Sequence, residues 1–293
     1  MIANNVPLVK PSLQRESDKR EFVFTLADFE QIRKLIYEHA GILLSSTKQD
    51  MVYSRLARRL RERGLKTFSE YLAILKQSDK AEWEEFVNSL TTNLTSFFRE
   101  PHHFPILGEY LKKLHGKPSI KIWCCASSTG EEPYSIAMTV VETFNNFNVP
   151  VSIFASDLDT KVLATASKGV YAPDRVDRLP RERLSRFFVK TAGSSDGSFS
   201  VRPELRRLIN FQRLNLLEPN WGVHGPLDVI FCRNIMIYFD KPTQYKILKR
   251  FVPLMDRNGL LFAGHSESFL YASDLFHLQG KTVYELANKG MVR

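Results

Sequence analysis

KIWCCASSTGEEPYSIAMTVVETF, residues 121–144, decides how the rest of the chain is read. Ile120, Ile122 and Trp123 carry the β-branched and aromatic bias of a buried strand. Thr129 and Gly130 turn the chain, and Glu131, Glu132 and Pro133 open a helix, where proline's missing N–H costs nothing. Ile136, Ala137, Val140, Val141 and Phe144 then recur at three- and four-residue spacing, one apolar helical face. Strand, glycine turn and helix in this order is where α/β proteins place nucleotide-like ligands. The turn holds one glycine and two acids, and lacks both G-x-G-x-x-G and G-x-x-x-x-G-K-[ST], so nothing here cradles a pyrophosphate. Two acids favour a ligand with positive charge; read as plain structure, they complement the helix dipole.

Downstream, the alternation continues. VSIFASDLD (residues 151–159) is a strand ending in acids, residues 160–167 a helix, DVIFCRN (228–234) a strand, and residues 243–253 an amphipathic helix. GLLFAGH (259–265) and TVYEL (282–286) are further strands. Near-continuous apolar strands alternating with helices predict a mostly parallel sheet covered on both faces, with ligands at the carboxyl ends of its strands. Residues 129–132, Asp157, Asp159, Arg233, Asn234, His265, Ser266 and Glu267 stand at those ends and are expected to converge on one crevice. The alternation breaks around TAGSSDGS (191–198), where two short strands make a hairpin with LINFQRLN as a possible third. This is an antiparallel β-insertion at about residues 187–213.

Upstream, residues 1–20 lack apolar periodicity and read as a mobile tail. Residues 21–92 read as an all-α helical domain. Thr25 with Asp28, Thr47 with Asp50, Thr67 with Glu70, and Asp79 with Glu82 have capping-box spacing, and Gly41 and Gly64 sit where helices stop. One helix carries Arg55, Arg58, Arg59, Arg61 and Arg63; a stripe at every fourth residue would suit carboxylate or phosphate recognition, against the plain reading of a solvated face. Residues 93–119 form a polar and aromatic connector with a lead-in helix at 107–114, and residues 120–293 form the sheet domain.

The 293 residues suffice for two domains, and 43% hydrophobic with 25% charged residues is ordinary for a soluble protein. No apolar run reaches membrane-spanning length. Cys124, Cys125 and Cys232 lie in apolar strands, an odd count without metal-ligand spacing, so a reducing cytoplasm and no metal are expected. A net charge of +9 implies an acidic partner, and the excess is local: seven Lys/Arg against two acids in residues 48–66, eleven against five in 168–213.

Asp157, about one βαβ unit beyond the glycine turn, stands where dinucleotide sites bond a ribose hydroxyl. A ribose without a diphosphate, beside acids, describes S-adenosylmethionine. TNLTSFFRE, SSTGEEPYS, ASDLD, LNLLE, FCRNIMIYFD and LLFAGHSE, in this order, also resemble the chemotaxis receptor methyltransferases, the CheR family, from about Phe24 onward. The resemblance implies a Rossmann-like class I methyltransferase domain bearing a small β-subdomain, behind a helical domain. It implies S-adenosylmethionine-dependent methylation of glutamate side chains on membrane chemoreceptors, with S-adenosylhomocysteine as product. The cofactor contacts it implies are Asn93, Thr95, Arg99, Glu132, Asp157, Asn215, Leu216, Arg233 and Asn234, with Tyr238 facing the methyl group and the incoming carboxylate.

A glutamate is already ionised at pH 7, so Arg99 and Tyr238 are given positioning roles without a general base, and His265, His102 and His103 structural ones. The arginine helix becomes the docking surface for acidic receptor helices. The insertion, with Gly193 and Gly197, resembles a part that in some relatives holds a receptor C-terminal peptide by strand addition. A monomer without membrane insertion is expected. Two rivals remain: a nucleic-acid methyltransferase, opposed by the lack of a basic–aromatic stacking pattern, and a non-catalytic cofactor sensor, opposed by the presence of Arg99, Asp157 and Tyr238.

Overall fold

The Thr25 side chain accepts from the Asp28 N–H while Asp28 accepts from the Thr25 N–H, and this reciprocal box starts α1 (Leu26–Ala40). The structure is a computed structural model describing residues 20–77, 79–288 and 290. Apart from Arg20, the expected tail lies outside the described residues. Gly41, with φ at +69°, ends α1 in the left-handed region. α2 (Gln49–Arg63) begins differently from expectation: a 3-10 turn over Ser46–Lys48 precedes it, and neither Ser45 nor Lys48 makes a side-chain cap bond. Thr47 instead pairs with the Ser45 hydroxyl, so the Thr47–Asp50 spacing is no capping box. α3 (Phe68–Lys76) has the box of Thr67 and Glu70, and α4 (Lys80–Leu90) the cap of Asp79. Phe29, Ile32, Ile36, Leu56, Leu60, Phe68, Tyr71 and Phe86 pack fully buried between these four helices.

α5 (His103–Lys113) leads into β1 (Ile120–Cys124), and α6 (Glu131–Phe144) leads out to β2 (Val151–Asp157). The helix α7 (Thr160–Lys168) follows, capped by the Asp159 carboxylate on the Lys161 and Val162 N–H groups. The insertion comes next: β3 (Val170–Tyr171), α8 (Pro173–Val176), α9 (Arg181–Phe187), β4 (Phe188–Lys190), β5 (Phe199–Val201) and α10 (Pro203–Arg206). β6 (Ile209–Arg213) and β7 (Leu227–Cys232) return to the main sheet, followed by α11 (Lys241–Phe251), β8 (Met255–Ala263), β9 (Phe276–Gly280) and β10 (Val283–Leu286).

The main sheet runs β6-β2-β1-β7-β8-β10-β9. The first five are parallel and β10 is antiparallel to both neighbours. Ile122 lies in register between Ile153 and Val229, which explains the apolar runs of all three strands: each is covered on both faces. Two expectations are corrected. LINFQR does not extend the insertion hairpin; it pairs in parallel with β2, Asp157 opposite Arg213. The third strand of the small antiparallel sheet is the two-residue β3, beside β5, so the insertion spans residues 170–206. A two-residue strand leaves no alternation to read.

Candidate active site

At the carboxyl ends of β1, β2 and β7 the chain makes sharp turns, and a cleft opens there with about 920 Å³ of atom-free space including its mouth. Gly130 has φ +100°, and a Cβ there would lie 2.7 Å from the Tyr171 hydroxyl and 2.9 Å from Ala166 Cβ, so only glycine fits. Phe98, Glu100, Ser128 and Asn234 adopt positive φ without being glycine. Backbone strain of this kind gathers at functional sites, held by surrounding contacts. The strained Ser128 turn presents its N–H to Asp157 Oδ2 at 2.8 Å, and Asp159 N–H meets Oδ1 at 3.0 Å. Burial nevertheless pushes the Asp157 carboxyl up to about 6.

Asn93, Thr95, Arg99, Glu132, Asp157, Asn215, Leu216, Arg233, Asn234 and Tyr238 all line this one cleft. The other strand-end residues do different work. Glu131 turns away and pairs with Arg175. Asp159 caps α7 with one oxygen and holds Thr91 and Asn93 of the connector with the other. Glu267 is buried and accepts four backbone N–H groups, from Asn234, Ile235, Met236 and Gly264, at 2.5–3.0 Å. It thereby shapes the turn that carries Tyr238; burial still raises its carboxyl above the ordinary value.

Arg233 is sealed into the floor. Its Nη1 lies 2.8 Å from Glu132 Oε2, and its Nη2 lies 2.5 Å from the Arg99 carbonyl and 3.2 Å from Glu100 Oε2. Burial raises the Glu132 carboxyl, with Arg233 opposing. Burial would raise Glu100 too, but His265, Arg233 and Asn234 outweigh it and hold the group at about 2. The three histidines stand outside the cleft lining. His265 Nδ1 is 2.9 Å from Glu100, and buried His103 bonds the Lys281 carbonyl, burial holding it down at about 4. Glu100, His102 and His103 bring ligand-type atoms within 4.8 Å, but the Arg233 cation already sits against that carboxylate.

The helical domain closes the cleft's other side. Leu43 N–H meets the Tyr238 carbonyl at 2.8 Å, Asn215 Nδ2 meets the His39 carbonyl at 3.0 Å, and Ala40 and Ile42 join the lining. Sequence reasoning missed these two residues, along with Cys125, Ser128, Leu158 and Phe239. Ser128 alone carried a signal, its place in the glycine turn.

The arginine stripe needs correction. Arg55 donates to the Leu90 and Thr91 carbonyls and fastens the connector. Arg59 and Arg63 both bond Glu82, which is fully buried on α4. The stripe at every fourth residue therefore faces protein, because a buried acid on the neighbouring helix demands cations. Arg58 and Arg61 keep side-chain exposures of 79% and 56% and, among the described residues, pair with surface Glu62 and Glu21. Gly193 and Gly197 have φ of +72° and +73° in the loop between β4 and β5, which makes them turn residues.

A parallel α/β sheet with a carboxylate at the end of β2, acids lining the cleft, and no phosphate cradle defines the class of S-adenosylmethionine-dependent methyltransferases. The polar lining fits that cofactor: each Asp157 oxygen accepts one N–H and retains acceptor capacity, and Asn215 joins the lining just beyond the end of β6, the strand paired with β2. The family description "CheR methyltransferase, SAM binding domain" matches residues 93–284, and "CheR methyltransferase, all-alpha domain" matches residues 27–91. The chain belongs to the CheR methyltransferase family, and S-adenosylmethionine is its cofactor. It is 49% identical over 269 residues to chemotaxis protein methyltransferase 2 of Pseudomonas aeruginosa, covering 92% of this chain and 96% of that one. The chemotaxis protein methyltransferase of Escherichia coli is 46% identical over 287 residues, 98% of this chain and 99% of that one. No helix among the described residues is long and apolar enough to cross a membrane.

Proposed function

We propose that this methyltransferase acts on glutamate side chains of methyl-accepting chemoreceptors, forming glutamate methyl esters and S-adenosylhomocysteine for sensory adaptation. The observation that carries the reading is the meeting of Asp157, Asn215, Arg99 and Tyr238 around one cleft, in a chain whose relatives bear the name chemotaxis protein methyltransferase. Bound S-adenosylmethionine supplies an electrophilic methyl group. Asp157 would accept hydrogen bonds from its ribose, Asn215 and Leu216 would serve the adenine, and Asn93 and Thr95 would contribute from the connector.

A glutamate side chain with a pKa near 4.3 arrives ionised, so no base is needed. Arg99 and Tyr238 align the carboxylate without protonating it, and entry into the cleft strips its water. Arg58 and Arg61 offer the free basic face for an acidic receptor helix, since exposed ion pairs exchange partners at little cost. The open edges of the small sheet at β3 and β4 suit strand addition by a receptor C-terminal peptide, which would raise the local substrate concentration. The protein works as a cytoplasmic monomer on this reading.

Transfer of labelled methyl from S-adenosylmethionine to receptor-containing membranes tests the reading. Label released by mild alkali and lost with Asp157→Ala is expected; tight cofactor binding without transfer to any receptor would overturn it.

A further inference from the structure

Large apolar side chains left in water mark contact surfaces when they cluster. Among the described residues eleven such side chains are exposed, and six of them gather around the turn at residues 235–240 that carries Tyr238. Ile237, 53% exposed, lies on that turn. Leu43, 54% exposed, is joined to it through its N–H on the Tyr238 carbonyl, and Tyr37 through its hydroxyl on Asp240 at 2.6 Å. Leu94, 77% exposed, lines the cleft together with Tyr238. On the other flank Leu270 adjoins Tyr271, whose hydroxyl reaches Gln244 at 2.6 Å, and Gln244 in turn donates to the Met236 and Phe239 carbonyls. Lys241 Nζ stands 4.2 Å over the Tyr271 ring, while Asp240 is engaged by Tyr37 and the Thr243 N–H.

Resting on the function given above, we propose that these side chains form an apolar collar which docks the substrate's own apolar flanks: an amphipathic receptor helix with aliphatic residues one turn either side of the acceptor glutamate. The collar flanks the turn that carries Tyr238, and Leu94 ties it to the cleft, a concavity that a flat lipid surface cannot fill with a carboxylate. A second copy seated there would bar the acceptor from Tyr238. Its free charge is cationic at Lys241, matching an acidic helix. Helical spacing brings residues three and four positions away to the same face as the glutamate, so they meet the rim as the carboxylate enters. Seating them expels water from the mouth at the moment of transfer, when a desolvated carboxylate is the better nucleophile.

The double variant Leu43→Ser with Ile237→Ser tests the collar, since neither side chain lines the cofactor cleft. Steady-state transfer to receptor membranes should show KM raised about tenfold with kcat within about twofold, and cofactor affinity by calorimetry unchanged. Serine substitutions flanking the acceptor glutamate should raise KM for the wild type and add little in the double variant. If the double variant loses cofactor affinity, Leu270→Ser carries the same expectation. A normal wild type with an equal variant overturns the collar alone; a wild type that transfers to no receptor overturns the function with it. Binding to protein-free phosphatidylethanolamine–phosphatidylglycerol vesicles, or self-association in sedimentation, that the variant abolishes would instead assign the patch to lipid or to a second copy and overturn the proposal.

Discussion

Asp159 Oδ2 accepts from Asn93 Nδ2 at 2.8 Å and from Thr91 Oγ1 at 2.9 Å, so a residue outside the cleft lining holds the connector that covers it. Its other oxygen caps α7. One side chain thus joins the sheet domain to the segment bearing Asn93 and Thr95, and the two jobs separate in experiment. Asp159→Ala should cost about 1 kcal/mol or more through the lost cap and weaken cofactor binding about tenfold through the loosened connector. Asp159→Asn has one acceptor oxygen, enough to keep the cap, while its NH2 must confront the Thr91 and Asn93 donors, so it should retain the stability and still lose affinity. Calorimetric affinity with a thermal melt checks this; a lowered melting temperature with wild-type affinity would show that the connector stands without Asp159.

The arginines of α2 should divide sharply on mutation. Burial would raise the Glu82 carboxyl, but hydrogen bonds from Arg59, Tyr71 and Arg63 outweigh it and hold the group below its ordinary value. Arg59→Ala strips the Nε and Nη2 bonds at 3.1 and 2.8 Å from a fully buried carboxylate and should cost about 3 kcal/mol or more. Arg58→Ala touches only an exposed pair and should leave urea unfolding unchanged, while Arg58→Ala with Arg61→Ala should slow methyl transfer most at low salt. Because the folded Glu82 value is depressed, its contribution is present above the unfolded carboxyl value and is lost as pH falls through the folded one. Wild-type unfolding free energy followed downward in pH should show that loss, and Glu82→Gln should flatten it.

Periodicity and caps made most of the fold legible. The apolar face of α6, the boxes at Thr25 and Thr67, and the apolar runs of β1, β2 and β7 each fix an element by local physics alone. What failed depends on partners that no single segment encodes. Arg59 looks solvated until α4 brings Glu82 beside it, and Ile209–Arg213 looks like part of a hairpin until β2 offers a parallel edge. The same holds for the site. Its ten expected residues could be placed by motif, whereas Ala40 and Ile42 enter only because Leu43 and Asn215 seat the helical domain on the cleft.

Transfer without a general base has a kinetic signature. No histidine lines the cleft among the described residues, and a glutamate acceptor is ionised well below neutrality. With receptor membranes as substrate, kcat should stay flat from roughly pH 6.5 to 9. Tyr238→Phe should lower kcat about tenfold without bending that profile, since in the proposed mechanism the phenol aligns the carboxylate and does not shuttle its proton. A rising limb near neutrality that Tyr238→Phe or His265→Ala removes would require a titrating catalyst.

Asp157 should make cofactor binding proton-linked. Burial lifts its carboxyl from 3.8 to about 6 in the folded chain. Between those values the folded protein keeps a proton that the unfolded chain has lost, so its contribution to stability falls as pH rises from 3.8 to about 6 and is level above. The ionised group then costs up to about 3 kcal/mol, a cost retained for binding. Ribose hydroxyls bond a carboxylate more strongly than a carboxylic acid, so affinity should rise with pH through about 6, with a proton released on binding. Asp157→Asn should abolish the release and weaken binding at least about tenfold, because its amide must also confront one of the two backbone N–H groups from Ser128 and Asp159. Calorimetry at pH 6 in buffers of different ionisation enthalpy reads the proton directly; identical heats in all of them would mean that Asp157 does not change its protonation on binding and would overturn the linkage.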